Sequence, residues 1–497
     1  MGLLSLIVWL PLLGALVILF VPKEQTQPIQ MIALACSGLS FLLSCYMAFN
    51  FDMTTGGLQF AENLQWVPEM GMAYSLAVDG ISLPMILLTT LITPACLIAS
   101  LGMTDRVKAY FAWFMLLESA VLGVFAAQDW FLFYMFWEIT LVPMFFLIGI
   151  WGGERKGPAS LSFFLYTLGG SIFMLLGIVA AYVNSPSHSF DMSVLMQSSG
   201  AWGVQLQAVM FFGFFLGMAV KIPAFPLHGW LPLAHVEAPI PVSMFLSAIL
   251  LKMGAYGLLR AGVLLPLGLE WFLPILLTLG LVNIIYGALM AWRQNDLKAM
   301  VAFSSISHMG FVLVGIAGLT VTGFTGAVMQ MVTHGIITAA LFFLIGVLYE
   351  QAHTRDISEF GGLSRQIPRY GVMMSIAMLA AMGLPGLAGF ISEFHAILGA
   401  FERWGLYVAI ASIGILVTAA YSLRTIGRMF TGSFDPRWAH LQDVSPRQML
   451  AAVPLLILII GIGIFPSPAL NIINPTVTQM VASIKAPAAK ATAETAP

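Results

Sequence analysis

The sequence predicts an all-α, polytopic membrane protein of about fourteen transmembrane helices, and three observations carry that prediction. Of its 497 residues, 60% are hydrophobic and only 8% are charged, whereas a soluble globular protein carries about 25% charged residues. Its apolar segments recur at the length that a helix needs to cross a bilayer, about 20 residues. Lysine and arginine are concentrated in alternate loops, as is typical of membrane proteins.

The apolar segments divide the chain into candidate spans that follow one another with short connections. They lie at about 2–21, 29–50, 78–102, 108–127, 130–151, 159–183, 206–222, 240–262, 268–292, 297–316, 322–350, 370–399, 404–430 and 446–470. The first lacks the basic residues that precede a signal-peptide core, so we expect it to be a retained helix. The closing stretch IKAPAAKATAETAP is rich in alanine and proline and is expected to be a flexible tail.

The loop charges predict which side of the membrane each loop faces. Loops after odd-numbered spans hold fourteen of the twenty Lys and Arg residues. The other loops and the tail hold only Arg260, Arg403, Lys485 and Lys490. Since positive charge accumulates on the cytoplasmic side, both termini should lie on the opposite, outer side.

The net charge and the cysteines exclude several kinds of function. With 22 acidic residues against 20 Lys and Arg, the net charge is −2, so nucleic acid is excluded as a partner and lipid is the expected surrounding. Cys36, Cys45 and Cys96 lie in apolar segments and form no CxxC pair. We therefore expect inert thiols, and no metal, iron–sulfur cluster or haem in this chain.

The stretch from Gly217 to Gly254 places two lysines at membrane depth on either side of a proline-rich interruption. Lys221 comes near the end of the seventh span and is followed at once by Pro223 and Pro226, while Lys252 lies near the middle of the eighth span. A charged residue at a helix centre costs about 2.5–3.5 kcal/mol on insertion scales, so each needs a partner, water or a function.

A second interruption, GLPGLAG at 383–389, occurs in the twelfth span just before Glu393. It follows the first interruption by five spans, and an odd number of spans gives two units of opposite topology. Paired interruptions in inverted halves mark the ion path of many transporters. The alternative is a coincidental pair of helix kinks.

Glu138 lies about 12 Å into the fifth span at 1.5 Å per residue. A lone glutamate at that depth must bind a proton or find a cation. We therefore predict a pair between Glu138 and Lys221, with a purely structural ion pair as the alternative. Because Pro223 and Pro226 remove backbone donors beside Lys221, freed carbonyls should attract water there. Lys221 can then act as a proton relay, unless it snorkels to the surface.

The remaining candidates are histidines and carboxylates in or near spans. Lys252 has too much helix on either side to snorkel easily, and His228 and His235 follow the first break, where each is a relay residue or a polar loop residue. Three serines accompany His308 and predict a hydrated path, with a satisfied helix-packing group as the alternative. His334 is similar and has two threonines nearby. Glu393 is a terminal donor or acceptor, and Glu118 is a candidate contact to a neighbouring subunit.

Several motifs together resemble the antiporter-like subunit M of respiratory complex I, called subunit 4 in mitochondria and NdhD in cyanobacteria and chloroplasts. The resemblance runs from about residue 79 to 430. The motifs are FLFYMFWEITLVPMFFLIGIWGGE, VKIPAFPLHGWLPLAHVEAP, LLKMGAYGLLR, NDLKAMVAFSSISHMG, THGIITAALFFLIGVLYE and GLPGLAGFISEF.

The resemblance implies fourteen helices with two inverted five-helix repeats and broken helices seven and twelve. The corresponding domains are 1–107 (helices 1–3), 108–262 and 263–430 (the two repeats), and 431–497 (helix 14 and the tail). The resemblance also implies a proton channel. In it Glu138 and Lys221 form the pair, Lys252 the bridge, His334 with His308 the relay of the second half, and Glu393 the exit.

The resemblance further implies a subunit of a proton-translocating NAD(P)H or ferredoxin:quinone oxidoreductase. This chain would hold no cofactor, because the iron–sulfur clusters and the quinone belong to partner subunits of the membrane and redox arms. The segments APIPVSM and YTLGGSIFMLLG are closer to the photosynthetic form (NDH-1). That form implies a thylakoid membrane, plastoquinone and possible variants for CO2 uptake or cyclic electron flow. A bacterial plasma membrane with ubiquinone is the second expectation.

The sequence departs from the family pattern at one position, and two alternative functions stay open. Many members carry an acid where this chain has Leu233, which removes a candidate stabiliser of the broken helix. A stand-alone or Mrp-type Na⁺/H⁺ antiporter shares the fold and needs no redox partner. A purely structural membrane spacer would tolerate neutral residues at Glu138 and Lys221. The sequence leaves the electron donor and the proton stoichiometry undetermined.

Overall fold

The computed structural model describes residues 2–494, which are helical apart from one β-hairpin and connecting loops. In chain order the helices are α1 Leu3–Phe20, α2 Thr26–Phe49, α3 Ser82–Ala99, α4 Val107–Ala126, α5 Trp130–Trp151, α6 Lys156–Asn184, α7 Met192–Ser199, α8 Val204–Lys221, α9 Trp230–Glu237, α10 Ile240–Phe245, α11 Leu251–Leu264, α12 Pro266–Arg293, α13 Leu297–Gly318, α14 Val321–Ala352, α15 Pro368–Ala381, α16 Ala388–Trp404, α17 Ala411–Phe430, α18 Pro446–Ile464 and α19 Ser467–Glu494. The strands are β1 Gln59–Val67 and β2 Met72–Val78. The all-α polytopic class is confirmed.

Within the described residues, thirteen segments are long and apolar enough to cross a membrane. This differs from the predicted fourteen in the region 368–430. There α15 is a 14-residue helix, and α16 continues through a 3₁₀ segment, Gly405–Ile410, into α17 as one apolar stretch of 43 residues. The two inverted repeats stay a prediction.

The hairpin of β1 and β2 lies between the second and third predicted spans, where the sequence predicts only an outer loop. Its strands pair antiparallel and its turn passes through Gly71, whose φ of +64° favours glycine. Glu62 on β1 accepts hydrogen bonds from the backbone N–H of Leu4 at 2.8 Å and from the hydroxyl of Ser5 at 2.5 Å. The hairpin therefore holds the beginning of α1.

The expectation of a flexible tail is wrong as far as Glu494, because α19 runs through this region; residues 495–497 lie outside the described residues. Thr476 on α19 accepts a hydrogen bond from the N–H of Gly80 at 2.9 Å and donates one to the carbonyl of Gly56 at 3.1 Å. A Cβ at Gly80 would lie 2.1 Å from the carbonyl oxygen of Ile472, so glycine permits this close approach.

Loops predicted on the same side contact one another. On the predicted cytoplasmic side, the N–H of Leu297 donates to Arg355 at 3.0 Å, and that of Gly362 to Thr431 at 3.0 Å. On the outer side, Gln128 bonds Ser75 at 2.8 Å, and Thr476 holds Gly80. The two sets of contacts agree with the predicted alternation of the loops, and which face is cytoplasmic stays a prediction.

The centre of the bundle is formed by α13, α14 and the segment of α10 and α11, in which nearly all residues are buried. Close backbone approach to α12 is part of the reason, since a Cβ at Gly310 would lie 2.6 Å from the carbonyl oxygen of Gly280. Helices at this position can carry polar side chains only where those side chains find partners inside the protein. The candidate site lies on these helices.

Candidate functional site

The first predicted interruption separates α8, which ends at Lys221, from α9, which begins at Trp230. Asn283 on α12 satisfies the irregular backbone between them. Its Oδ1 accepts from the N–H of Phe225 at 2.8 Å, and its Nδ2 donates to the carbonyl of Pro223 at 3.1 Å. Irregular backbone at membrane depth needs such partners. The prolines mark the break in the sequence, whereas Asn283 stands alone in an apolar helix and no motif marks it.

Lys221 is fully buried, so the snorkelling alternative is wrong. Its Nζ has no hydrogen-bond partner among the described residues. It lies 4.9 Å from the ring centroid of Phe163 and 5.6 Å from that of Trp137, which are distances for cation–π attraction. An ammonium held mainly by aromatic faces can exchange its proton more readily than one locked in an ion pair.

Glu138 lies on α5, is partly exposed, and has one carboxylate oxygen without a hydrogen-bond partner among the described residues. Its oxygens are not within the 4.0 Å that defines an ion pair with Lys221. Glu138 and Lys221 therefore form no contact ion pair in this structure, and any attraction between them acts over a longer distance.

A π-helical turn, Leu246–Leu250, joins α10 to α11 directly before Lys252. Such turns widen a helix locally and are frequent at functional sites. The Nζ of Lys252 donates to the carbonyl of Ser247 at 2.5 Å, and the Ser247 hydroxyl lies 3.1 Å from that of Ser305 on α13. The turn therefore supplies a polar environment for a lysine that is completely buried.

Lys252 and His334 are in direct contact, with 2.6 Å between Nζ and Nδ1. A lysine ammonium is only a donor, so when Lys252 is charged the Nδ1 atom of His334 accepts from it. If the proton crosses to His334, neutral Lys252 becomes the acceptor. The two side chains can share one proton at the centre of the chain.

His308 and Glu393 form the next contact, with 3.0 Å between Nδ1 and Oε1. The rings of His308 and His334 lie 5.4 Å apart between centroids, so the two contacts adjoin. The sequence leaves open which histidine follows Lys252. The structure places His334 beside the lysine and His308 beside the glutamate. We call Lys252, His334, His308 and Glu393 the central series.

A small cavity lies beside His308, His334 and Glu393 of the central series. Its other polar walls are Ser304, Gln330, Thr333 and Thr338, and apolar residues of α14 and α15 complete the lining. Ser392 on α16 lies 2.8 Å from the Thr333 hydroxyl and donates to Gln330 at 2.5 Å. Hydroxyl groups can both donate and accept, so they can relay a proton beside the histidines.

The second predicted interruption separates α15 from α16 and brings the chain against Glu393. Gly383 and Gly386 have φ values of +76° and +93°, which favour glycine. A Cβ at Gly383 would lie 2.8 Å from the Oε2 atom of Glu393. The glycine therefore leaves room for the carboxylate that ends the central series.

Two histidines after the first break have different surroundings. His228 lies 3.1 Å from the hydroxyl of Tyr286 through Nε2 and contacts no member of the central series by a hydrogen bond. His235 is fully buried, stacks on Phe342 at 5.0 Å, and has no partner for either ring nitrogen among the described residues. Among the described residues, no side-chain hydrogen bond joins His235 to Lys298 or Lys252.

Lys298 is a residue whose environment the sequence reading missed, because its place after a loop made it appear to be a loop charge. It is 1% exposed and donates to the carbonyls of Val236, at 3.3 Å, and Ala238. Glu118, expected at a contact with another subunit, is instead buried within this chain and accepts from Ser37 on α2 at 3.0 Å. Nothing in the structure explains Leu233 beyond apolar packing.

Comparison with known proteins identifies the family to which this arrangement belongs. The sequence profile described as "NADH:quinone oxidoreductase/Mrp antiporter, TM" matches residues 127–418, which span both interruptions and the whole central series. The chain belongs to the NADH:quinone oxidoreductase/Mrp antiporter family.

Similar family members cover nearly the whole chain. "NAD(P)H-quinone oxidoreductase chain 4 1" of Synechococcus sp. (strain JA-3-3Ab) is 41% identical over 495 residues, covering 97% of this chain and 93% of the relative. "NADH-quinone oxidoreductase subunit M" of Rickettsia conorii is 38% identical over 487 residues, covering 96% and 98%. The resemblance to this kind of subunit is confirmed.

Solved structures of the family have the same fold. A chain of respiratory complex I from Thermus thermophilus with bound NADH matches with a TM-score of 0.88 and 29% identity, covering 97% of this chain and 99% of that chain. A chain of the Mrp complex from Dietzia sp. DQ12-45-1b matches with a TM-score of 0.81 over 97% and 98%, but at 20% identity it shows the fold alone.

Proposed function

We propose that this chain is a proton-translocating membrane subunit of a complex I-type oxidoreductase. Partner subunits would carry the iron–sulfur clusters and reduce the quinone, and this chain would move protons without a cofactor of its own. The observation that carries the proposal is the central series, in which a lysine, two histidines and a glutamate adjoin in the interior of the bundle. The names of its relatives support the redox coupling.

The proposed route begins at the cytoplasmic side. Lys298 and His235 supply Lys252, and the Lys252–His334 contact holds a proton that can pass to His308 and Glu393. Each transfer is between a donor and an acceptor of the same chain, and a histidine suits such a step because it binds and releases a proton near neutral pH. Glu138 and Lys221 regulate the central series by their charge. A proton gained or lost by this pair changes the electrostatic field at the central series.

We propose further that the complex is of the photosynthetic type, with plastoquinone in a thylakoid membrane. The cyanobacterial relatives at 41% and 40% identity support this choice, against a bacterial plasma membrane with ubiquinone. Determining the quinone that copurifies with the intact complex, and the membrane fraction in which it is found, tests this choice. A CO2-uptake variant would be identified by its additional subunits in the same preparation.

The test of proton translocation uses Glu138→Gln and Lys252→Ala in the assembled complex. We expect quinone-coupled proton uptake to fall by at least about tenfold in Lys252→Ala, as expected for loss of a proton-transfer group. Glu118→Gln makes the same chemical change at a buried carboxyl outside the proposed route and serves as the control. Full assembly with normal pumping in both test variants would show that the chain is a structural spacer.

A Mrp-type or stand-alone Na⁺/H⁺ antiporter is the second candidate, favoured by the shared fold of the Mrp complex. Vesicles that contain the chain without redox subunits distinguish the two functions. Na⁺-driven proton movement in such vesicles would support the antiporter, whereas proton movement that requires quinone reduction supports the complex I-type function.

A further inference from the structure

The C-terminal end of α9, the short helix after the first interruption, is held by partners from other elements. A helix end leaves its last carbonyl groups without a partner inside the helix. The carbonyl of His235 accepts from the hydroxyl of Ser243 at 3.0 Å, and that of Glu237 accepts from a backbone N–H of the loop after α5 at 2.9 Å. The carbonyls of Val236 and Ala238 accept instead from positively charged side chains.

Two cations share these carbonyls. The Nζ atom of Lys298 donates to Val236 at 3.3 Å and to Ala238, and the Nη1 atom of Arg355 donates to Val236 at 3.4 Å. Positive charge at the C-terminus of a helix is favourable, because the helix dipole is negative there. The Lys298 residue is buried, whereas the Arg355 side chain is 21% exposed. Arg355 therefore borders water on the loop side, and Lys298 lies inside the protein.

Arg355 is also joined to the backbone of Lys298 through Asp296. Its Nε atom donates to the Oδ2 atom of Asp296 at 2.9 Å. The other oxygen of Asp296 caps α13, where it accepts the N–H groups of Lys298 at 2.7 Å and Ala299 at 3.0 Å. The guanidinium lies 5.2 Å from the ring centroid of Tyr349 in the last turn of α14. The arginine thus links the end of α9, the beginning of α13 and the end of α14.

The two cations differ in a property that matters for a proton carrier. A lysine can lose its proton, whereas an arginine in a protein stays charged. When Lys298 gives up its proton, the positive charge that it places at the end of α9 is lost. The guanidinium of Arg355 keeps its charge and its bond to Val236, so one cation remains at this helix end. Because α9 carries His235, its position bears on the next step of the proposed route.

We propose that Arg355 is a positioning residue at the entrance of this route. Through Asp296 and Val236 it holds the beginning of α13 and the end of α9 in one arrangement while Lys298 gains and loses its proton. The role rests on the proposed function, because it assumes that Lys298 transfers protons. It goes beyond that function by giving a task to a loop residue that transfers no proton itself.

Two variants of the assembled complex test this role, with protons translocated per quinone reduced as the measurement. Arg355→Gln keeps a hydrogen-bond donor but removes the charge. We expect this ratio to fall at least about threefold, since misplaced transfer groups react more slowly. Arg355→Lys keeps a positive charge and should lose less than about twofold. Arg365→Gln is the matched control, because Arg365 is an exposed arginine of the same loop between α14 and α15, and it should match the parent.

A further variant, Lys298→Gln, separates positioning of Lys298 from a general effect on the fold. In that background Arg355→Gln should cause no further fall, because the group that it positions is already absent. A further, additive fall would overturn the proposal, as would parent-like translocation in Arg355→Gln or equal losses in Arg355→Gln and Arg355→Lys. Failure of Arg355→Gln to assemble would show a purely structural arginine and would overturn it as well.

The same measurements distinguish this proposal from the proposed function. Normal translocation in Lys252→Ala rejects the proposed function. Loss of translocation in Lys252→Ala, together with normal translocation in either Lys298→Gln or Arg355→Gln, rejects the positioning role alone.

Discussion

The Nζ atom of Lys252 lies 2.6 Å from the Nδ1 atom of His334, although the residues are 82 positions apart and lie on different helices. Both are buried in the most enclosed part of the bundle. A contact between two groups that each bind a proton cannot serve as a simple ion pair, because two cations would repel at that distance. The contact therefore suits two side chains that share one proton.

The first prediction concerns His334. His334→Gln keeps a hydrogen-bond acceptor beside Lys252 but removes the group that carries a proton, so we expect proton translocation to fall by at least about tenfold. Assembly, checked by native gel, should be unchanged. His395→Gln is the control, since His395 lies on α16 outside the central series and its Nδ1 is 2.7 Å from the carbonyl of Ile391. Equal effects of the two variants would contradict the role of His334.

The second prediction concerns the coupling of His308 and Glu393. Because their side chains touch at 3.0 Å, His308→Gln and Glu393→Gln should each reduce proton translocation, and the double variant should be little worse than either single variant. Residues that act as one unit give such non-additive effects. Translocation rates measured for the three variants form the complete cycle. Fully additive losses would show that the two residues act independently.

The third prediction concerns the stability of the first break. Asn283→Leu removes both hydrogen bonds that hold the backbone between α8 and α9. Each backbone group left buried without a partner costs about 1–3 kcal/mol, so the apparent Tm of the purified protein should fall. Thr278→Val on the exposed side of the same helix is the control. An unchanged Tm for Asn283→Leu would mean that water replaces the asparagine.

The fourth prediction is a pH dependence outside the membrane spans. Burial raises the pKa of Asp129 from 3.8 to about 6, a neighbouring Asp191 adds to the rise, and N–H bonds from Leu132, Ala73 and Phe131 oppose it. The folded protein therefore holds this proton more tightly than the unfolded chain. Its contribution to stability is present at low pH and is lost as pH rises from about 4 to about 6.

Asp129→Asn removes this titration while keeping a side-chain acceptor for the N-terminus of α5, where Asp129 accepts from Phe131 and Leu132 at 2.9 Å. The apparent Tm of the parent protein should therefore decline relative to that of Asp129→Asn between pH 4 and pH 6, and the difference should stay constant above. Thermal unfolding at several pH values measures it. A difference that does not change with pH would contradict the raised pKa.

Much of the candidate site could be predicted because a charged residue in an apolar helix is visible in the sequence. Lys252, His308, His334 and Glu393 were found in this way, and the structure brings all four together. Lys298 and Asn283 were missed for opposite reasons. The lysine lies beside a loop where charges are common, and the asparagine acts only on backbone atoms of another helix.

The sequence by itself determined the membrane class, the positions of most spans and the two interruptions, and it predicts the side of each loop. These follow from local properties, namely the length of apolar segments, the count of basic residues and the missing N–H groups of proline. The tertiary structure alone decided which buried groups touch. It placed His334 beside Lys252, kept Glu138 out of contact with Lys221, and turned the expected tail into α19. The reason is that a contact of about 3 Å depends on the rotation and packing of separate helices, and neither is encoded in the spacing of residues along one segment.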